Sequence, residues 1–239
     1  MTGVDFDRFD ALTFDCYGTL VDWGTGITTA VGAVLERHGV EARRAEVLDA
    51  YGQAETEAEA GPYLRYRDVV GRAMLAACRR FDVEPTAAEV AAFGDSVGDW
   101  PPFPDSTAAL RRLAGRFRLG VITNCDDDLF ARTNERLGVR FDWIVTAQQV
   151  GSYKPNENNF LRAFERIEVP RERILHVAQS LYHDHVPAKR LGMTSIWVDR
   201  DQGGGGVAQP GVDAHPDLTV PDMATLAGLA LGASGSVVG

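Results

Sequence analysis

A chain of 239 residues, 45% apolar and 24% charged, is long enough for one large core or for a core with a smaller accessory domain, and its composition is that of a globular protein. Lys and Arg number 24 against 34 Asp and Glu, a formal charge of −10, which argues against nucleic acid as the main partner; a small anionic ligand stays open, because a few local cations can outvote the net charge. No run approaches a membrane span, the acidic start MTGVDFDRFD lacks the apolar core of a secretory signal, and Cys16, Cys78 and Cys125 read as reduced thiols of a cytoplasmic protein.

The first apolar run, Ala11–Phe14, reads as a buried strand that ends on an acid, Asp15, just before the turn Tyr17-Gly18-Thr19. Residues 21–100 then read as helical throughout. Val69, Val70, Ala73, Met74, Ala77, Cys78 and Phe81 share one helical face, and Thr86 with Glu89 has the spacing of a capping box. An all-helical block directly after the first strand predicts a second, inserted domain. WPPFPD, residues 100–105, is its stiff return linker, because proline restricts φ and resists helix.

Beyond it, strands are predicted over residues 119–123, 143–146, 174–178 and 195–198, with helices between them. Gly138 and Gly192 stand where left-handed C-terminal caps belong. This alternation predicts an α/β doubly wound parallel sheet. Residues 203–206 read as a glycine loop and the tail from Gly232 as frayed.

In such a sheet ligands gather at the carboxyl ends of the strands, where strand order reverses. Successive strands deliver Asp15, Thr123-Asn124, Lys154 and Asp184 to that rim. Singly, each has a plainer reading: a turn or helix cap for Asp15, Asn124 and Asp184, a solvated lysine for Lys154. At one end of consecutive strands, coincidence is the weaker account.

Asp15-Cys16-Tyr17-Gly18-Thr19-Leu20 resembles the first motif of the haloacid dehalogenase (HAD) superfamily, and Thr123-Asn124, Lys154-Pro155 and Asp184 fall where its later motifs belong. The resemblance implies a Rossmann-like core over residues 1–20 and 101–239, with a helical cap domain over residues 21–100. It also implies that Asp15 attacks the substrate to form a covalent ester that water hydrolyses. Thr19 and Thr123 would donate to carboxylate oxygens, Lys154 would hold down negative charge, and Asn124 would line the site. The cap would close over the reaction.

HAD phosphatases usually carry a second acid two residues after the nucleophile, to protonate the leaving alcohol. Here Tyr17 stands there, and a phenol with a pKa near ~10 is a poor donor at neutral pH. A halide needs no proton, and the first motif is similar to that of the type II dehalogenases acting on 2-haloacids. The expected activity is therefore hydrolysis of a small carboxylate-bearing substrate. The alternatives are a Mg²⁺-dependent phosphatase, an epoxy-acid hydrolase, and a binding protein that has lost turnover. No cofactor is favoured; were Mg²⁺ used, Asp15, Tyr17 and Asp184 would hold it. The characterised 2-haloacid pattern has Ser and Asn where this chain has Gln179 and Leu181, and Tyr where it has Phe160; its cap arginine is replaced near Gly52. Arg65 and Arg67 offer a substitute cation. Together with Tyr17, Phe160 and His183 they make up the expected substrate-facing set.

His183 is also a candidate base for water, against a structural role beside a helix start, which applies to His185 too. Cys16 and Cys125 flank site residues and read as packing. The run Cys125 to Asp128 favours the positive end of the following helix. A homodimer stays open.

Overall fold

The structure is a computed structural model in which residues 3–59, 61–200 and 214–232 are described. Its strands are β1 (Ala11–Phe14), β2 (Arg118–Thr123), β3 (Trp143–Thr146), β4 (Ile174–Ala178), β5 (Thr194–Val198) and β6 (Leu218–Val220). They form one parallel sheet in the order β3-β2-β1-β4-β5-β6. Five are the strands the sequence predicts, two of them starting one residue earlier. The sequence does not predict β6, because three residues carry no readable periodicity. The glycine loop at residues 203–206 and the tail beyond Gly232 lie outside the described residues.

Between β1 and β2 the chain forms α1 (Trp23–Arg37), α2 (Arg44–Glu59), α3 (Tyr66–Arg79) and α4 (Ala87–Ser96), the helical cap, followed by α5 (Ser106–Leu113). The predicted face of α3 is buried, except that Phe81 lies just past the helix and is half-buried. Thr86 and Glu89 close the capping box of α4, each side chain bonding the other's backbone N–H. After β2 come α6 (Asp127–Leu137), α7 (Ala147–Val150), α8 (Asn158–Arg166), α9 (Val186–Arg190) and α10 (Met223–Ala230). Gly138 and Gly192 take positive φ values of 59° and 71°, as the cap positions require.

Alternation along β1 sends Leu12 and Phe14 to one face of the sheet and Ala11 to the other. The first face packs on Leu110 and Leu113 of α5, Phe130 of α6 and Leu226 of α10, in a core that continues into the cap. The second packs on Phe160 and Ala163 of α8 and Ala188 of α9. Covering both faces is what lets the strands be apolar throughout.

The chain leaves for the cap and returns from it side by side. Val21 bridges Pro102 antiparallel, the amide of Asp22 donates to the carbonyl of Pro101 at 2.8 Å, and that of Phe103 to Leu20 at 3.0 Å. Trp100 packs so tightly against α1 that a Cβ on Gly26 would come within 2.3 Å of its ring; only glycine fits there. Among the described residues no helix is long and apolar enough to cross a membrane.

Candidate active site

β1 lies between β2 and β4, where strand order reverses, so whatever follows Phe14 is delivered to the crevice at the switch point. Asp15 is that residue. Its amide still donates to the carbonyl of Val177 at 3.0 Å, continuing the ladder, and its side chain is nearly buried. The chain then turns sharply: Leu20 bonds back to Cys16 at 2.7 Å, and Gly18 sits at φ 95°, a backbone conformation that disfavours a side chain.

Lys154 is the centre of the site. Its Nζ donates to Asp15 Oδ1 at 2.8 Å, to Asp184 Oδ1 at 2.7 Å and to the carbonyl of Ile122 at 3.0 Å, so all three of its protons are used. The lysine is 1% exposed. Burial alone would lower its pKa, but the two carboxylates outweigh that and hold it well above the ordinary lysine value. For Asp184 burial pushes the pKa up, and Lys154 and His176 together pull it far below the usual carboxylate range. Asp15 faces the same lysine and the Thr19 hydroxyl, with Asp184 as a like-charged neighbour. There burial wins, and its pKa lies above that of a free aspartate.

His176 Nε2 meets Asp184 Oδ1 at 3.0 Å and its Nδ1 meets Thr13 Oγ1 at 3.0 Å. The acceptor on one side sets the tautomer: Nε2 carries the proton and Nδ1 accepts from the threonine. A histidine inside the apolar strand ILHVA is the sequence signal for this contact, and hydrophobic periodicity alone passes over it.

Thr19 and Thr123 differ from the expected pair. Thr19 Oγ1 donates to Asp15 Oδ2 at 2.7 Å and accepts from the amide of Gln179 at 2.8 Å. Thr123 Oγ1 is buried and has no partner among the described residues, so it does not bond Asp15; the second oxygen of Asp184 is likewise buried and unpartnered. Asn124 acts through the lysine: its Oδ1 accepts from the amide of Lys154 at 2.7 Å and its Nδ2 donates to that residue's carbonyl at 3.1 Å.

The substrate-facing set is largely redistributed. Tyr17 turns its hydroxyl to Thr133 at 2.9 Å, with Cys125 Sγ donating to it at 3.3 Å, while its ring packs on Tyr66 and Trp100. Burial raises the phenol well above its ordinary pKa and pushes Cys125 up to about 12, which leaves that thiol inert; Cys16 is buried too.

Arg65 and Arg67 are not free cations. Arg65 pairs with Asp126 at 3.4 Å and Asp128 at 3.0 Å, and Arg67 with Asp126 at 3.4 Å, Asp95 at 2.9 Å and Asp128. The acidic run does open α6, with Asp127 and Asp128 in its first turn, and it also serves the cap. Asp126, fully buried, accepts the amides of Tyr66 at 3.0 Å and Arg67 at 3.2 Å, so it caps α3 across the core–cap boundary. Asp127 turns instead to Thr146 at 2.6 Å and Gln149 at 2.7 Å. Phe160, expected at the substrate, is fully buried in the second core cluster, its ring edge-on to His176 at 5.0 Å; it supports the site from beneath.

His183 contacts Ser180 at 3.1 Å and Glu59 of α2 at 3.4 Å. Burial disfavours its charge, but Glu59 outweighs that and raises its pKa, so the histidine is a tie to the cap. His185, bonded to Ser195 and Ala178, is driven by burial down to about 4 and stays neutral; its role is structural. Beside Glu59, Glu55 accepts from Tyr66 at 2.9 Å and Tyr51 at 3.3 Å. Burial and its neighbour Glu59 push it up to about 7. Neither glutamate stands out in the sequence, since acids on a helix are usually solvated.

Comparison with known proteins agrees with this geometry. A family model described as haloacid dehalogenase-like hydrolase matches residues 9–184. Haloacetate dehalogenase H-2 of Moraxella sp. (strain B) is 25% identical over 222 residues, covering 90% of this chain and 95% of its own. The 5-amino-6-(5-phospho-D-ribitylamino)uracil phosphatase YigB of Escherichia coli (strain K12) is 31% identical over 212 residues, covering 82% of this chain and 86% of its own. A solved structure of L-2-haloacid dehalogenase from Xanthobacter autotrophicus matches the fold with a TM-score of 0.78 at 20% identity, covering 95% of this chain and 100% of that one. By sequence model, by relatives spanning nearly its whole length and by fold, the chain belongs to the haloacid dehalogenase-like hydrolases.

Proposed function

We propose that the protein hydrolyses a small 2-haloacid through a covalent ester on Asp15. The observation that carries this reading is the position of Tyr17. Its hydroxyl is buried against Thr133 and Cys125 and its pKa is raised, so the place of the usual second acid holds no proton donor for a leaving alcohol. The leaving group must depart without a proton, as halide does.

An Asp15 oxygen attacks the carbon bearing the halogen; the C–O bond forms as the C–X bond breaks, and halide leaves with the electron pair. Lys154 and Thr19 keep the carboxylate oriented and in its charged form. Water then attacks the carboxyl carbon of the Asp15 ester. The 2-hydroxyacid leaves, the Asp15 carboxylate is regenerated, and one proton is released. The unpartnered oxygen of Asp184 is available to hold that water, and the Thr123 hydroxyl to hold a substrate oxygen. The Moraxella relative's name supports the same chemistry.

The donor set suits Mg²⁺ poorly. Both carboxylates are engaged by one ammonium group, and among the described residues no three His, Cys, Asp or Glu cluster as a metal site. We therefore propose a metal-independent reaction. The second reading, a Mg²⁺-dependent phosphatase, is favoured by the bare Asp184 oxygen and the phosphatase relative at 31% identity.

One experiment separates them. Single turnover in H₂¹⁸O with 2-chloropropionate should place ¹⁸O in the Asp15 peptide and release chloride in EDTA. Phosphate release from phosphate monoesters that EDTA abolishes, with no chloride released, would install the second reading.

A further inference from the structure

Arg200 stands two residues beyond β5, remote in sequence from every motif, yet its side chain is only 9% exposed. Its Nε and Nη2 donate to the carbonyl of Thr19 at 3.2 and 2.7 Å, and Nη2 also reaches Ser106 Oγ at 3.4 Å. Nη1 donates to Asp105 Oδ1 at 2.8 Å, and the guanidinium lies 4.0 Å from the centroid of the Phe103 ring. Asp105 is itself fixed, since its other oxygen accepts the amides of Met223 at 2.7 Å and Ala224 at 3.3 Å at the start of α10. Ser106 donates to the carbonyl of Leu20 at 2.8 Å. One guanidinium therefore clips the segment that leaves for the cap to the segment that returns from it.

Thr19 is where that clip meets the chemistry. Its hydroxyl donates to Asp15 Oδ2 and accepts from the amide of Gln179, and its own carbonyl is gripped by the two-toothed fork. Residues 19–22 are also the outgoing half of the connection to the cap. We propose that Arg200 is a positioning residue for the nucleophile, pinning the Thr19 peptide so that the threonine hydroxyl stays on Asp15 while the cap moves. A planar guanidinium suits the task; a lysine ammonium would offer the carbonyl a single point of contact. The inference rests on Asp15 as nucleophile, proposed above, and not on which electrophile it attacks.

The test compares R200A, R200K, T19V and R200A/T19V with the unaltered enzyme, using 2-chloropropionate. R200A is expected to lose about tenfold in kcat with KM unchanged within about twofold. R200K should fall between, and millimolar guanidinium should restore part of the R200A loss. Because Arg200 acts through Thr19, the double variant should be no slower than T19V alone. Additive losses, or R200A at full kcat, overturn the proposal. If R200A does not fold, full kcat in R200K overturns it by itself. A crystal structure supplies a readout free of turnover: in R200A or R200K the Thr19 hydroxyl should leave Asp15 Oδ2. If it stays within hydrogen-bonding distance, the proposal fails even where 2-chloropropionate proves to be no substrate.

Discussion

The rim of the core and the face of the cap above it hold charge in opposite ways. At the rim, Asp15, Lys154 and Asp184 are buried and fully determined: each follows a strand, each is bonded to the next, and the lysine has no spare proton. On the cap, Glu55 and Glu59 sit partly buried on one helix, tied to tyrosines and to His183, and burial with its neighbour pushes Glu55 up to about 7. The candidate nucleophile is held by the sheet and its strand-end partners, whereas the cap acids are held by side chains of helices and of the loop after β4.

Removing the lysine tests the contrast most severely. Lys154→Met leaves two carboxylates facing each other without a counter-ion. Turnover should fall by about 10³-fold or more, and unfolding free energy by about 3–5 kcal/mol, measured by halide release and by denaturant titration. A mild loss in both would mean that the triad is not what organises the rim.

Next comes pH. Asp15 must be ionised to attack, and its pKa is raised by burial. A raised acid stays protonated to higher pH, so kcat/KM should fall about tenfold per unit as pH drops below a limb lying above the ordinary aspartate value of about 3.9. Asp184, held low, stays charged through that range. A limb at or below about 3.9 would contradict the burial argument.

The seam between the two regions is the third target. Asp126→Ala strips the cap from α3 and leaves the amides of Tyr66 and Arg67 unpaired. Stability should drop by about 1–3 kcal/mol and KM should rise more than kcat falls, whereas Asp126→Asn, which keeps an acceptor, should lose less. Equal effects of the two would assign the role to the charge alone.

The smallest effect should come from the cap acids. Burial and Glu59 push Glu55 up to about 7, so its charge is sensitive to pH near neutrality, and a negative charge on the cap would oppose the anionic substrate proposed above. Glu55→Gln should lower KM for a 2-haloacid by roughly twofold to fivefold and leave kcat alone. A rise in KM would show that the acid attracts the substrate, which would then carry a cationic or donor group.

Asp15, Lys154 and Asp184 are legible in the sequence as one rim, because a parallel sheet puts the residue after each strand at the same edge. The cap's existence is legible too, from an unbroken stretch of helical periodicity. The packing of Arg65, Arg67 and Phe160 is not legible, for a common reason: helix register does not say which partner a side chain will meet. The arginines find aspartates on another element, and the phenylalanine finds the core.

Local pattern alone therefore sets the fold class and points to the carboxylate at the switch point, since both follow from periodicity and from the geometry of strand ends. The partner of each charge is a matter of packing: His176 behind Asp184, Asp126 under α3, Arg200 on the Thr19 carbonyl. Those contacts join residues up to 181 positions apart, and no short window of the chain encodes them.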